Sequence, residues 1–124
     1  MFLDDEYPPS AIFLEYIAGL EMISLQNYTP QRMNNFVEGI QQIHKALVRH
    51  RDPKPRNMMV VMDTPERVVW LDFDRAETYD EDQITVEQKD LLGEENEIVN
   101  GFIYCLATDH EKGKLNEAYI FYCT

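Results

Sequence analysis

Between residues 33 and 48 apolar side chains return every three or four positions, at Met33, Phe36, Val37, Ile40, Ile43, Leu47 and Val48. That spacing gathers them on one face of an α-helix. Thr29 followed by Pro30 marks the start, because a proline in the first helical position sacrifices no hydrogen bond. The stripe predicts a helix that runs to about residue 49. Pro53 and Pro55 then exclude helix and make 50–57 a rigid loop.

The pattern changes on both sides of this helix. "AIFLEYI" at 11–17 is apolar and rich in strand-forming residues, so it predicts a short strand. "AGLEMISLQNY" at 18–28 is ambiguous, with Leu20, Met22 and Ile23 spaced to line one turn or two of helix. "MMVVM" at 58–62 and "RVVWLDF" at 67–73 are nearly continuous apolar runs joined by "DTPE", which predicts a hairpin. Strands without polar alternation are buried on both faces or await a cover.

Residues 77–97 hold nine acidic side chains and one lysine, a solvated stretch in which Thr85 and Gln88 form a capping-box pair. Ile98, Val99, Phe102, Ile103 and Leu106 predict a further helix that "DHEKGK" interrupts, and "LNEAYIFYCT" predicts a last short one. The whole reads as one α+β domain over residues 1–124, mostly helical, with 85–123 as the helical remainder.

Charge narrows the partners. A formal net charge of −12 disfavours nucleic acid, since phosphate attraction needs clustered Lys and Arg. It favours cationic partners or solubility alone. No apolar run approaches the roughly 20 residues of a membrane helix, and no secretory leader is visible. The two cysteines, Cys105 and Cys123, have no metal-like spacing and predict reduced core thiols in an intracellular, cytoplasmic chain.

Asp52, Asn57, Asp72 and Asp74 sit at strand ends or in the rigid loop. If that loop packs beside the hairpin, Asp52, Asn57 and Asp72 converge on one small volume. Carboxylates so close raise each other's pKa unless a cation offsets them. An incomplete set of oxygen ligands suits Mg²⁺, which keeps waters and completes its shell with substrate phosphates.

"HRDPKPRN" at 50–57 resembles the catalytic loop of the eukaryotic protein-kinase-like superfamily, and "DFD" at 72–74 is similar to its D-F-G metal-binding motif. "IQQIHKALV" at 40–48 resembles the helix leading into that loop, and "FLEYI" at 13–17 the hinge between the two lobes. The resemblance covers about residues 11–76, in the right order. It implies the larger, carboxy-terminal kinase lobe, in the fungal type that lacks the amino-terminal lobe, with a β-hairpin beside the catalytic loop.

The resemblance also implies roles. Asp52 would accept or orient the proton of the hydroxyl being phosphorylated, and Lys54 would neutralise charge on the transferred group. Asn57 and Asp72 would hold Mg²⁺, while backbone groups around Glu15, Tyr16 and Ile17 would meet the adenine of ATP. His50 and Arg51 would brace the loop, and Phe73 would pack against the lobe core. Several family parts are expected to be missing. Ten residues without lysine or glycine precede the hinge-like stretch, Pro53 stands for the usual leucine, Asp74 for the glycine, and no A-P-E follows. The expected function is therefore a kinase-like lobe or pseudokinase acting as a binding or regulatory module, with weak or absent ATP and Mg²⁺ binding in the isolated chain. The alternative is an ATP- and Mg²⁺-dependent phosphotransferase, on protein or small molecule, whose other lobe comes from elsewhere. The apolar hinge and hairpin surface, with Phe13, Ile17, Met58, Met59, Val60, Val61, Val69 and Trp70, predicts a protein partner or self-association.

Overall fold

The computed structural model describes residues 19–64 and 66–124, so the strand predicted at 11–17 lies outside the described residues. Within them the chain is α+β, with three α-helices and two small antiparallel sheets. β1 (Leu20–Met22), β3 (Met58–Val61) and β4 (Val68–Trp70) form a sheet in the order β1-β3-β4. Leu20 faces Val61 across one pairing, and Met58 faces Trp70 across the other. The ambiguous stretch at 18–28, whose spacing suggests a turn or two of helix, instead contributes an edge strand, because Leu20–Met22 pair with β3.

α1 spans Pro30–Lys45 and starts as its sequence requires, with Thr29 Oγ1 accepting from the Arg32 amide at 3.1 Å. It stops earlier than the apolar stripe. Leu47 takes a left-handed φ of 62°, its amide donates to the His44 carbonyl at 2.9 Å, and Val48–Arg49 leave as β2. β2 pairs with β5 (Glu77–Thr78), so Val48 belongs to the helix by periodicity and to a sheet by tertiary pairing, with Leu47 in the turn between the two. Trp70 lies across α1 at Gly39, where a Cβ would meet the indole at 3.2 Å. Its Nε1 donates to the Phe36 carbonyl at 3.1 Å, and its ring meets Phe36 edge-on.

α2 (Val86–Lys112) begins inside the acidic stretch, behind the complete Thr85–Gln88 capping box, and runs without a break to Gly113. "DHEK" continues the helix, and Gly113, at φ 74°, ends it. α3 (Tyr119–Cys123) follows. The core joins Ile23, Met33, Phe36, Met58, Val60, Phe102, Leu106 and Ala118, drawn from every layer. Met58, Val60 and Val61, predicted on a surface awaiting a partner, are buried by the chain's own helices and β1. Cys105 is half-buried and Cys123 is exposed, so Cys123 is not a core thiol; neither is disulfide-bonded. Among the described residues no helix is long and apolar enough to cross a membrane.

Candidate functional site: the 50–57 loop and the 71–74 strand end

Four hydrogen bonds turn the loop into a closed unit. The Lys54 amide donates to the Asp52 carbonyl at 2.8 Å, and the Asn57 amide donates to the Lys54 carbonyl at 2.8 Å. Asn57 Nδ2 bonds the Asp52 carbonyl at 2.9 Å and its carboxylate Oδ2 at 2.8 Å. Pro53 and Pro55, both buried, fix the backbone in between and remove two amides that would otherwise need partners. A single 3-10 turn, Pro55–Asn57, hands the chain to β3.

His50 is fully buried and joins the loop to the hairpin. Its Nδ1 accepts the Asp52 amide at 3.1 Å, so the ring proton sits on Nε2, which donates to the Leu71 carbonyl at 2.7 Å. The Leu71 amide in turn donates to the Asn57 carbonyl at 2.8 Å. The residue just before Asp72 is therefore pinned on both sides by the loop.

Underneath lies Glu95, a residue the sequence placed in a solvated acidic run. It is only 3 % exposed. Its carboxylate accepts from the His50 amide at 2.9 Å, the Arg51 amide at 2.8 Å and His44 Nε2 at 2.7 Å. Two successive amides can reach one carboxylate because Arg51 adopts a φ of 74°, a turn that aims neighbouring N–H groups the same way. Burial alone would raise the Glu95 pKa, but the hydrogen bonds from His44, Arg51 and His50 outweigh it and hold the group below its ordinary range. A signal for Glu95 does exist. Leu92, Glu95, Val99, Phe102, Leu106 and Asp109 follow steps of three and four, and all are buried. Asp109 is the second carboxylate on that stripe; it accepts the amides of Asn116, Glu117 and Ala118 at 2.7–2.9 Å and so shapes the turn into α3.

The loop's own carboxylate is engaged too. Arg56 binds Asp52 through NH2 at 2.7 Å and Nε at 3.2 Å. Desolvation pushes the Asp52 pKa up, yet the Arg56 and Asn57 hydrogen bonds and the Arg56 charge bring it below the usual aspartate value. Lys54 extends to Thr124, with Nζ 2.7 Å from the hydroxyl. Arg51 sends its side chain outward, to the Arg75 carbonyl at 3.4 Å and Glu77 at 3.7 Å.

The strand end is held more lightly. Asp72 is exposed at φ 58°, and its Oδ1 accepts the Asp74 amide at 3.2 Å. Phe73 departs from the expectation of core packing: it is 43 % exposed and meets the interior through the His50 ring at 4.7 Å. Glu15, Tyr16 and Ile17 lie outside the described residues. The structure thus brings His50, Asp52 and Asn57 together with the backbone before Asp72. Among the described residues no group of three or more His, Cys, Asp or Glu is placed to hold a metal. Asn57 and Asp72 would offer two oxygens. Asn57 spends its amide nitrogen on Asp52, which leaves its oxygen as the ligand a hard cation takes. Separately, an open groove of about 680 Å³ lies between α1 and the β3–β4 turn, lined by Asn35, Glu38, Gly39, Gln42, Glu66 and Arg67 among others, and none of the loop residues borders it. Comparison of the chain with protein-family models, with curated proteins and with solved structures finds no match.

Proposed function

We propose that this chain is a protein-kinase-like carboxy-terminal lobe, or pseudokinase, that acts as a binding or regulatory module and is catalytically incompetent on its own. The observation that carries the reading is the joining of two motifs far apart in sequence. His50 and Asn57 clasp Leu71 from both sides, so the "HRDPKPRN" loop and the "DFD" strand end form one piece. In that piece Asn57 and Asp72 would hold Mg²⁺, which supplies charge neutralisation to bound phosphates. Incompetence follows from Asp52, whose carboxylate oxygens are taken by Arg56 and Asn57. A base paired with a guanidinium has a lowered proton affinity, and most of its acceptor positions are already engaged.

The alternative remains a phosphotransferase completed by parts from elsewhere, in which Arg56 would have to release Asp52. Arg56 is half exposed, at 51 % for its side chain, which is the observation that favours such a release. A cytoplasmic setting suits two unpaired thiols. Partner binding or self-association would use the apolar side chains that stay exposed near the hairpin, Met22, Met62 and Phe73. Calorimetric titration with ATP and Mg²⁺ tests the reading. Weak or undetectable binding is the expected result, whereas sub-micromolar binding abolished by Asp72→Ala would overturn the claim of incompetence.

A further inference from the structure

We infer that the Arg32 guanidinium, buried at the start of α1, anchors an oxyanion site that takes a phosphate or carboxylate group. Arg32 is only 7 % exposed. Its NH1 donates to the Asn27 carbonyl at 2.8 Å, while Nε is buried with no partner. Among the described residues no carboxylate pairs with it. Arginine stays protonated at any working pH, so a full positive charge is held out of water here by one neutral carbonyl. Burial of a charge is costly unless it is paired or amply hydrogen-bonded. The buried carboxylates meet that condition: Asp52, Glu95 and Asp109 each accept three hydrogen bonds. Arg32 does not meet it.

The position sharpens the imbalance. The first turn of α1 holds no acidic residue, so the positive end of its dipole lacks a compensating anion. The guanidinium folds back past that end to reach residue 27, and a cation is the sign that a helix start disfavours. The frame around it is rigid. Asn27 is buried, and its side chain accepts the Ser24 amide at 2.8 Å and donates to the Met22 carbonyl at 2.9 Å. An oxyanion on the Nε and NH2 edge of the fork would supply the missing counter-charge through two parallel hydrogen bonds and meet the field of the helix end. The net charge of −12 repels anions from afar, but at about 0.15 M salt that repulsion is screened beyond about 8 Å, and the local field decides. Arg32 stands at the opposite end of α1 from His44, which meets Glu95 beneath the 50–57 loop, so nothing here depends on the kinase-like reading.

The test follows the Arg32 Nε–H resonance of the full chain by proton–nitrogen NMR, assigned by its absence from Arg32→Lys. Inorganic phosphate and acetate are titrated separately, with chloride withdrawn to hold ionic strength constant. A saturating shift, half-complete at about 1–10 mM, is expected from one or two charge-assisted hydrogen bonds. The anion with the lower half-saturation names the class, phosphate or carboxylate. Arg32→Lys keeps the charge and loses the fork, so half-saturation read at the Gln31 amide should rise about 10-fold. The same anion should raise the melting temperature of the parent and leave that of Arg32→Gln unmoved. An Nε–H resonance that neither anion shifts would overturn the inference, as would a shift that grows in proportion to concentration without saturating. Equal thermal responses in the parent and Arg32→Gln would overturn it too, and where that variant does not fold the titration of the parent decides alone.

Discussion

The loop of residues 50–57 and the segment of residues 71–76 lie side by side, yet they are fixed in opposite ways. The loop is gripped from within: buried His50, Asp52 and Asn57 bond one another, and Glu95 holds two of its amides from below. The segment is gripped at its root, through Leu71, and beyond that by the local turn at Asp72 and a Phe73–Ala76 backbone bond of 3.0 Å. Both contain a residue at positive φ, Arg51 and Asp72. In the first case a buried carboxylate enforces the conformation. In the second an exposed side chain and local backbone bonds sustain it. Positioning of the 50–57 loop is therefore a property of the core here, while positioning of Asp72 rests on local contacts at the surface.

The contrast breaks most visibly at Glu95. Glu95→Ala strands the His50 and Arg51 amides and His44 in a buried place, and should destabilise the fold by about 3–5 kcal/mol in chemical denaturation. The same group sets an acid limit. Its folded pKa lies below the ordinary value, so its contribution is complete above about pH 4.5 and is lost as pH falls through the depressed value. Stability measured against pH should therefore fall more steeply on the acid side in the parent than in the variant. A parallel pair of curves would mean that Glu95 is not the loop's anchor.

Asp52→Asn probes the other half of the grip and should cost only about 1 kcal/mol, because Arg56 is half exposed and the amide keeps one acceptor for it. A loss as large as that at Glu95 would make Asp52 a structural brace. The smallest effect belongs to the segment. Asp72→Gly relieves a left-handed Cβ but loses the turn to Asp74 and adds freedom to the unfolded chain, so stability should stay within about 0.5 kcal/mol of the parent. A marked destabilisation would erase the distinction between the two regions.

Much of the frame could be read before any coordinate. α1, the hairpin and the Thr85–Gln88 box each carry a local signal, namely a 3.6-residue stripe, two apolar runs around a turn, and a reciprocal cap. What was hidden depends on distant partners. Leu47 and Val48 continue the stripe of α1, and only pairing with residues 77–79 pulls them out of it, including the Tyr79 amide on the Leu47 carbonyl at 2.8 Å. Glu95 resembles Glu94 and Glu97 in composition, and helix phase alone separates the buried acid from its solvated neighbours. Likewise the occupancy of Asp52 by Arg56, four positions later, depends on the 3-10 turn that folds the loop back on itself. The motif residues were visible as letters, while the bonds that decide what they can do were not.

Glu95 and Asp109 sit fourteen positions apart on one face of α2, each collecting backbone amides from a different loop. At a rise of about 1.5 Å per residue they stand about 21 Å apart, as two hooks on one rod. Replacement of the solvent-facing residues between them leaves that separation untouched. Loss or gain of a single residue turns one hook about 100° away from its loop and loosens either the 50–57 loop or the turn into α3. The solvent-facing positions between residues 96 and 108 should therefore accept many spellings, while the span accepts almost no change of length, a constraint that a scan of insertions and deletions would see and substitution of those exposed positions would miss.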